Sequence, residues 1–270
     1  MTEFAGKVVV ITGGAGGIGS AIAMRFGAAE ARIVLLDHDC ETLATRCREL
    51  QQAGVRVESQ LCDITDQTQC ERAIAHTLAA TGGIDVLVHG AGLTQVSRFR
   101  ETELAVYRRV MEVNFFGAVA VTKAALKSLC ERRGRIVVLS SIAGFAPLFG
   151  RTGYCASKHA LHGFFDTLRC ELVGQGVSVT LVCPSFVDTD FARRGLAGDG
   201  SILSTDRGTT GAIVTAEAVA QAVYRGAAAR KRQIVISFTG KLAYWLSRLA
   251  PGYYQRGMTR RFQDDFSGGD

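Results

Sequence analysis

The chain has a tyrosine and a lysine four residues apart, Tyr154 and Lys158, shortly after a serine pair at 140 and 141. On a helix this spacing places both side chains on one face, with Cβ atoms roughly 6 Å apart. A free tyrosine titrates near about 10, so a neighbouring ammonium that favours the phenolate would suit it for acid/base chemistry at neutral pH. A serine hydroxyl could orient a substrate oxygen beside the pair. The spacing alone also fits an ordinary surface helix, so the rest of the chain has to decide.

A glycine-rich turn follows the first predicted strand, residues 7–12. Glycines at 13, 14, 16, 17 and 19 precede a helix whose apolar face uses Ile18, Ile22 and Phe26. Glycine lets the backbone turn sharply and approach a pyrophosphate, whose charge is favoured by the amides and dipole at the helix start. Strand, glycine turn and helix in this order are the context that a dinucleotide-binding motif requires.

The second predicted strand, residues 32–36, ends at Asp37, which lies 18 residues after Gly19. A carboxylate there can accept two hydrogen bonds from the adenosine ribose and would repel a 2′-phosphate. No Arg or Lys lies between Thr12 and Gly19 or directly after Asp37 to offset its charge. The pattern therefore favours NAD, with NADP disfavoured. The alternative is that Asp37 only caps the following helix.

Strands and helices alternate along the rest of the chain. Further strands are predicted at 55–61, 84–89, 135–139, 177–183 and 233–237, with helices at 66–80, 101–131, 154–175 and 215–229. Seven strands separated by helices predict an α/β fold with a doubly wound, Rossmann-like parallel sheet in a single domain, residues 1–237. Ligands lie beyond the carboxyl ends of such strands, where the polar residues singled out here are found.

Composition restricts the class of protein. Of the 270 residues, 47% are hydrophobic, with 31 glycines and 3 prolines, which is typical of a compact globular protein. The apolar run after Lys7 is too short for a signal peptide or a membrane span, so a cytoplasmic location is expected. The eight cysteines form no CxxC pair, which indicates neither a zinc site nor a disulfide scaffold. Cys155 adjoins Tyr154 but points about 100° away on a helix, which disfavours a catalytic thiol.

The net charge of +6 comes from the end of the chain, where residues 225–270 hold 9 basic and 3 acidic side chains. We interpret residues 238–270 as an extension of the domain rather than a second one. Leu242, Trp245, Leu246 and Leu249 form a stripe at helical spacing, followed by Tyr253, Tyr254, Phe262 and Phe266 among Arg256, Arg260 and Arg261. Packing on the core or on another subunit is favoured. The alternative is a basic amphipathic segment that lies on an anionic membrane. Nucleic-acid binding is disfavoured because no recognition motif is present.

In its motifs the chain resembles the short-chain dehydrogenase/reductase family over about residues 5–237. The family pattern TGxxxGxG is met by Thr12, Gly13, Gly17 and Gly19, and its Ser, Tyr and Lys positions by Ser141, Tyr154 and Lys158. The asparagine commonly found 40 residues before the tyrosine is met by Asn114, and the aspartate after the third strand by Asp63. The family's PGxVxT reads PSFVDT at 184–189.

The resemblance implies hydride transfer between a nicotinamide and a carbinol or carbonyl carbon. It implies that Tyr154 exchanges the proton and that Lys158 lowers its pKa and holds the nicotinamide ribose. Ser141 would bond the substrate oxygen, and Asn114 would position a water that connects Lys158 to solvent. The residues expected at the cofactor are Gly13, Gly17, Ile18, Gly19, Asp37, Asp63, Ile64, Ala91, Gly92, Asn114, Tyr154, Lys158, Pro184, Val187 and Thr189. No metal is expected, and a homodimer or homotetramer is a further expectation from the family.

Two positions depart from the family pattern. The family's NNAG reads HGAG at 89–92, and Ser185 replaces the glycine of PGxVxT. Because the base position is already filled, we expect His89 to pack or to hydrogen-bond rather than to catalyse. Because serine stands where the family has glycine, the family's backbone path beside the nicotinamide is not carried over to Ser185.

The predicted substrate loops, 142–153 and 186–213, are rich in apolar residues, among them Phe145, Pro147, Leu148, Phe149, Phe186, Phe191, Leu196, Ile202 and Leu203. They favour a hydrophobic alcohol or ketone such as a steroid, a retinoid or an acyl chain. Residues 193–211 are glycine-rich and predict a lid. One alternative is an NADPH-dependent reductase of 3-oxoacyl thioesters, disfavoured by Asp37. Another is a protein that senses dinucleotide without turnover, disfavoured by the full catalytic set.

Overall fold

The computed structural model describes residues 2–189, 191, 193–203 and 213–262. Within them, seven strands form one parallel sheet in the order β3-β2-β1-β4-β5-β6-β7. The strands are β1 Val8–Thr12, β2 Arg32–Asp37, β3 Arg56–Leu61, β4 Val86–His89, β5 Arg135–Leu139, β6 Ser178–Cys183 and β7 Gln233–Val235. The helices are α1 Gly17–Gly27, α2 Cys40–Gln52, α3 Gln67–Thr81, α4 Leu104–Met111, α5 Gly117–Glu131, α6 Thr152–Leu172, α7 Ala216–Ala228, α8 Phe238–Leu249 and α9 Pro251–Phe262. The predicted α/β class and Rossmann-like sheet are confirmed.

The central strands are buried on both faces, which explains their continuous apolar sequences. Every residue of β1, VVVIT, is buried, and β5 and β6 are buried after their first residue. Such strands lack the alternation of a sheet with one wet face. The strand order reverses between β1 and β4, where connections leave in opposite directions and open a crevice.

Helices cover the sheet on both faces. On one face α1, α2 and α7 enclose a core that includes an aromatic cluster, in which the Phe4 ring lies 4.8 Å from Phe26 and 5.1 Å from Tyr224. On the other face α3, α5 and α6 pack with residues such as Phe165 and Leu129. Full burial of one such side chain contributes roughly 1.5–3 kcal/mol. These two layers hold the strand ends, and hence the loops after them, in fixed positions.

The predicted helical stretch over 101–131 is confirmed from 104 to 131, although it is not a regular α-helix throughout. A π-helical turn, Glu112–Phe116, separates α4 from α5, and a short 3₁₀ turn at Phe99–Glu101 precedes α4. The wider turn accommodates an extra residue relative to an α-helix and is found most often at functional sites. Apolar periodicity continues through it, so the sequence pattern did not reveal the interruption. Asn114 lies in the middle of this turn.

The C-terminal extension forms α8 and α9. Strand β7 ends at Val235, two residues before the predicted end. Oγ of Ser237 accepts a hydrogen bond from the Gly240 N–H at 2.9 Å and so begins α8. Tyr244 and Tyr254 pack against the small cluster around Phe145. One side of the extension therefore packs on the core, as predicted. Phe266 and residues 204–211 of the predicted lid lie outside the described residues.

Within the described residues, one helical stretch, 104–131, is long and apolar enough to cross a membrane by length and composition. Its residues Val121, Ala125 and Leu129 belong to the core on one face of the sheet. We therefore read the stretch as a core helix pair of the domain.

Candidate active site

The glycine turn between β1 and α1 packs directly on the loop after β4. Gly13 has φ +69°, and a Cβ atom there would lie 2.6 Å from the amide nitrogen of Ala91. At Gly19 a Cβ atom would lie 2.2 Å from the Gly13 carbonyl oxygen. Both contacts are too close for any side chain, so these two positions require glycine. The Thr12 hydroxyl joins the same two loops, since it accepts from the amides of residues 90 and 91 at 3.2 and 3.3 Å.

Asp37 at the end of β2 faces this turn. Its Oδ2 accepts a hydrogen bond from the Ala15 N–H at 3.0 Å, and its Oδ1 accepts one from the His38 N–H at 2.8 Å. The alternative role of capping α2 belongs to Asp39, whose Oδ1 accepts from the Thr42 N–H at 3.1 Å. Hydrogen bonds from the Thr42 side chain and backbone lower the pKa of Asp39. Asp37 is thus held at the cleft rather than used as a helix cap.

A cleft of about 970 Å³ opens above the carboxyl ends of the strands. Ten of the residues predicted to contact the cofactor line it, namely Gly13, Gly17, Ile18, Gly19, Asp37, Asp63, Ile64, Ala91, Gly92 and Thr189. Burial acts to raise the pKa of Asp63, but hydrogen bonds from the backbone and side chain of Thr65 outweigh it and lower the pKa. The volume and the glycine cradle fit a dinucleotide that lies across the strand ends.

A smaller pocket of about 120 Å³ adjoins the cleft and shares Ile18, Gly92 and Thr189 with it. Its walls include the predicted residues Ser141, Tyr154, Lys158, Pro184 and Val187, together with Ser185. Among the described side chains, the Ser185 hydroxyl is buried and has no hydrogen-bond partner. The structure thus brings Ser141, Tyr154 and Lys158 together at one end of the predicted cofactor site, whereas the fourth predicted catalytic residue, Asn114, is not one of the residues that line it.

Tyr154 and Lys158 lie one turn apart on α6, as their spacing predicts, and both are buried. Nζ of Lys158 lies 5.6 Å from the centre of the Tyr154 ring and donates a hydrogen bond to the Leu139 carbonyl at 2.9 Å. The ammonium is therefore anchored to the end of β5. This anchor orients Lys158 beneath the tyrosine without a direct bond to the phenol oxygen.

Burial sets the charge states of the pair. It raises the pKa of Tyr154 to about 12, although a hydrogen bond with the Ser141 side chain and the charge of Arg151 act in the opposite direction. Burial also lowers the pKa of Lys158 to about 8. At neutral pH the phenol is therefore protonated and the lysine is charged. The expectation that Lys158 lowers the pKa of Tyr154 is wrong for the protein without cofactor, because burial dominates and raises that pKa.

The two serines point in different directions. Ser141 lies two residues after β5 in extended backbone, and its Oγ accepts from the Ala143 N–H at 3.1 Å while the hydroxyl faces Tyr154. Ser140 instead hydrogen-bonds Nε2 of His162 at 2.9 Å. Burial lowers the pKa of His162 to about 4, so the imidazole is neutral. Its hydrogen bond with Ser140 helps to hold the loop after β5 in place.

Asn114 is buried in the π-helical turn and joins three elements. Its Nδ2 donates to the Leu93 carbonyl and to Oγ of Ser157, each at 2.8 Å, and its Oδ1 accepts from the Leu93 N–H at 2.7 Å. A Cβ atom at Gly92 would lie 3.5 Å from Oδ1 of Asn114 and 3.8 Å from Nζ of Lys158. The asparagine thus fixes the backbone that passes between it and the lysine.

His89 and Cys155 take the roles that their surroundings allow. Nε2 of His89 lies 2.7 Å from Oγ1 of Thr122, and the ring packs against Phe165. Burial lowers the pKa of His89 to about 3, so the ring is neutral. Burial raises the pKa of Cys155, which keeps its thiol protonated. His89 packs and makes one hydrogen bond, as expected from the sequence, while its Nδ1 is buried without a hydrogen-bond partner among the described residues.

Several cleft residues were not predicted from the sequence. Arg46 on α2, Arg109 on α4 and Arg194 line the cleft that also contains Asp37 and Asp63. Arg151 lines the smaller pocket. The first three come from separate elements, and only the fold brings them together. Arg151 stands three positions before Tyr154, and this helical spacing could have predicted its position beside the tyrosine.

Comparison with known proteins decides the family. A sequence profile described as short chain dehydrogenase matches residues 7–198. The chain belongs to the short-chain dehydrogenase/reductase family. The resemblance drawn from its motifs is confirmed.

Individual relatives of this short-chain dehydrogenase/reductase cover most of its length. Dehydrogenase/reductase SDR family member 7B from Mus musculus is 36% identical over 94% of this chain and 80% of that protein. The 11-beta-hydroxysteroid dehydrogenase A of Sesamum indicum is 33% identical over 92% of this chain and 73% of that protein. The crystal structure of gox2181 superposes with a TM-score of 0.76, covers 87% of this chain and 96% of its own, and shows 23% identity. That likeness supports the fold.

Membership in the family gives the reaction class. The chain is an oxidoreductase that acts between CH–OH and C=O groups, and the family uses nicotinamide dinucleotides. The open cleft, the glycine cradle against Ala91 and the small pocket at its end fit such a group. When bound, the nicotinamide supplies or accepts the hydride.

Proposed function

We propose that the protein is an NAD-dependent oxidoreductase for a hydrophobic secondary alcohol or its ketone. The observation that supports it most directly is the small pocket in which Ser141, Tyr154 and Lys158 meet apolar walls formed by Ile142, Leu148, Phe186, Val187 and Phe191. A ketone oxygen that lies between the two hydroxyls would be held where the proton is exchanged. The relative named as a hydroxysteroid dehydrogenase is consistent with an apolar ring substrate.

The residues divide the work as follows. The Tyr154 phenol, protonated at neutral pH, donates the proton to the ketone oxygen during reduction and receives it during oxidation. Ser141 hydrogen-bonds the same oxygen as charge develops. The Lys158 ammonium stabilises the phenolate that forms and holds the nicotinamide ribose. Asn114 supports the backbone beside Lys158 and positions a water that connects the ammonium to solvent.

We propose a preference for NAD over NADP because of Asp37. Assays of ketone reduction with each cofactor test both this preference and the proposed reaction. Arg46 and Arg194 line the same cleft and would favour a phosphate, so both cofactors have to be compared. We expect reduction of a panel of steroid, retinoid and long-chain ketones to be faster with NADH than with NADPH. Asp37→Ser should lower the ratio of kcat/KM for NADH over NADPH by roughly 10- to 100-fold, because a carboxylate that bonds the ribose and repels a phosphate is lost.

The matched control is Asp39→Ser, which removes one nearby carboxylate and keeps a good helix-capping residue. Asp39 caps α2 and is not among the residues of the cleft wall. Its cofactor ratio should equal that of the parent. A parent enzyme that prefers NADPH would contradict the assignment and favour the thioester reductase alternative. Binding of dinucleotide with no turnover of any panel member would favour the non-catalytic sensor.

We propose further that α8 and α9 rest on an anionic membrane surface. The stripe predicted from the sequence is exposed, with Trp245 at 58% and Leu249 at 77% of full exposure. Residues 238–262 hold five basic and no acidic side chains. Exposed apolar and basic groups on one segment are typical of helices that lie in a membrane interface. On their other side Tyr244 and Tyr254 pack beside Ile142 and Leu148 of the substrate pocket, so an apolar substrate would enter from the lipid.

Sedimentation with vesicles tests this proposal. The full chain should bind phosphatidylserine vesicles better than phosphatidylcholine vesicles, and binding should fall as salt rises. Trp245→Asp with Leu249→Asp should abolish it, whereas Val173→Asp, which changes a residue 78% exposed at the end of α6, should not. Absence of binding to anionic vesicles at low salt would contradict the proposal. A change of solution mass in the double variant would point instead to subunit packing.

A homodimer or homotetramer is also proposed. The half-exposed Phe116 forms an aromatic group with Phe115 and Phe164 at the face of α5 and α6. Such a patch suits contact with a second copy, and light scattering measures the mass. A cytoplasmic location, at the membrane surface, fits both proposals.

A further inference from the structure

Arg151 places a guanidinium in the substrate pocket. It immediately precedes α6, and its side chain forms part of the wall that includes Ser141, Tyr154 and Lys158. Nη1 of Arg151 donates to Oγ1 of Thr94 at 2.8 Å, and Thr94 is fully buried in the loop after β4. This bond fixes one end of the guanidinium. Its other N–H groups make no hydrogen bond within the described part of the chain, so they can donate to a ligand.

The charge of Arg151 is not neutralised by the described residues. No Asp or Glu among them lies within ion-pair distance, whereas the comparably buried Arg135 and Arg169 are paired with Glu3 and Asp166. Burial lowers the pKa of Arg151, yet a guanidinium stays protonated in proteins. Arg151 is half-buried, and a charge partly withdrawn from water without a charged partner is costly, so a ligand carboxylate would offset that cost.

The rest of the pocket agrees with an anionic group. Among the described residues, its wall contains two cations, Arg151 and Lys158, and no acidic side chain. Lys158 already donates to the Leu139 carbonyl and lies beneath Tyr154. Arg151 is therefore the cation that faces a substrate. Its planar fork matches a carboxylate with two parallel hydrogen bonds.

We propose that Arg151 binds a carboxylate of the substrate, so that the enzyme acts on apolar hydroxy acids and the corresponding oxo acids. The inference rests on the proposed function and narrows its substrate class. Because Arg151 and Tyr154 stand three positions apart and line one pocket of about 120 Å³, the carboxylate must lie a few atoms from the reacting carbon. The apolar chain then extends along Leu148 and Phe186. Arg151 is thus assigned as the residue that determines specificity for an acid over a neutral analogue.

Paired substrates test the assignment. The parent enzyme is assayed with 2-, 3- and 4-hydroxyoctanoate and with their methyl esters, and the ratio of kcat/KM for acid over ester is measured. For one positional isomer the ratio should exceed about 10, since a hydrogen-bonded charge pair is worth roughly 10- to 100-fold. Arg151→Met should reduce that ratio to about 1 by the same reasoning. Arg151→Lys, which keeps the charge without the fork, should give an intermediate ratio.

The ratio separates two roles of the arginine. Arg151 also acts to lower the pKa of Tyr154, so Arg151→Met will alter turnover of every substrate through the tyrosine, and that effect cancels between acid and ester. The exposed Arg225 of α7 supplies a control, and Arg225→Met should keep the parent ratio. An equal loss for acid and ester in Arg151→Met would overturn the carboxylate assignment. So would a parent ratio near unity for all three isomers.

Binding without turnover makes the two proposals separable. Calorimetric titration of the NADH complex with octanoate and with methyl octanoate should show tighter binding of the acid, lost in Arg151→Met. This result would support the arginine site even if no alcohol were turned over. Lack of turnover would then contradict only the proposed reaction. Turnover of neutral alcohols together with equal octanoate binding by parent and variant would sink the arginine site and leave the reaction intact.

Discussion

Tyr154→Phe is expected to lower kcat for ketone reduction by about 10²–10⁴-fold, the range that a positioned acid/base contributes. The substitution removes one oxygen and keeps the ring, which packs at the wall of the small pocket. Since the phenol is protonated at neutral pH, its loss leaves the ketone oxygen without a proton donor. The dissociation constant of NADH should remain within about a factor of three of the parent, because the lost hydroxyl accounts for at most one hydrogen bond to the cofactor.

The control for this variant is Tyr107→Phe. The Tyr107 hydroxyl lies 3.0 Å from Oγ1 of Thr152, the first residue of α6, and Tyr107 does not line either part of the site. It tests whether the loss of any phenol near the start of α6 affects turnover. Stopped-flow measurement of NADH oxidation gives kcat, and fluorescence titration gives cofactor binding. Parent-like turnover by Tyr154→Phe would remove the tyrosine from the mechanism.

Ketone reduction is expected to fall above about pH 8, by about tenfold for each further pH unit. The pKa of Lys158 is lowered to about 8 by burial, so the ammonium that stabilises the phenolate is lost as the pH rises through this value. Below pH 8 the lysine is charged and the rate should be level. Tyr154 does not limit this range, since its pKa is raised to about 12. The kcat of the reductive reaction between pH 6 and pH 10 measures the effect.

Substitutions of Lys158 assign the pH dependence. Lys158→Met should reduce kcat by about 10²–10³-fold at pH 7, because a developing phenolate loses its charge partner in a buried site. Lys158→Arg keeps a cation that does not titrate below pH 10. Whatever activity it retains should therefore show no fall near pH 8. A level profile for the parent, or an unchanged fall in Lys158→Arg, would assign the titration to another group.

The elements that the sequence predicted well are those whose physical cause is local. The glycine turn could be read from Gly13 and Gly19 because a close backbone approach excludes every side chain there. The strands could be read because buried parallel strands are continuously apolar. Asp37 was predicted at the cleft, and the structure explains why it is not a cap, since Asp39 takes that role.

Features that depend on the meeting of distant segments escaped the sequence. The family pattern had named Ser141 as the serine beside Tyr154, but the contact of Ser140 with His162, which the turn of the loop after β5 creates, was not predicted. Neither the pattern nor the spacing of residues 101–131 distinguishes a regular helix from one with a π-helical turn. The unneutralised charge of Arg151 becomes visible only in the assembled pocket, where the part of the wall that the structure describes holds no acidic side chain.

The pKa of Tyr154 is a further case in which the three-dimensional environment decides. The four-residue spacing suggested an ammonium that pulls the phenol toward ionisation. In the fold the Lys158 ammonium is anchored on the Leu139 carbonyl, and desolvation of the phenol dominates. A sequence motif does not reveal this effect of burial on the pKa, because the effect depends on every neighbour of the side chain.

The π-helical turn at Glu112–Phe116 sets a limit on how this enzyme can be made more stable. Removal of one residue there would restore a regular helix and improve its backbone hydrogen bonding, but it would rotate α5 relative to α4 by about 100°. The bonds of Asn114 to Leu93 and Ser157 depend on the present rotation. Selection for a more regular helix would therefore favour thermal tolerance at the expense of turnover. The extra residue of the π-helical turn therefore sets the direction in which the Asn114 side chain points, toward Leu93 and Ser157.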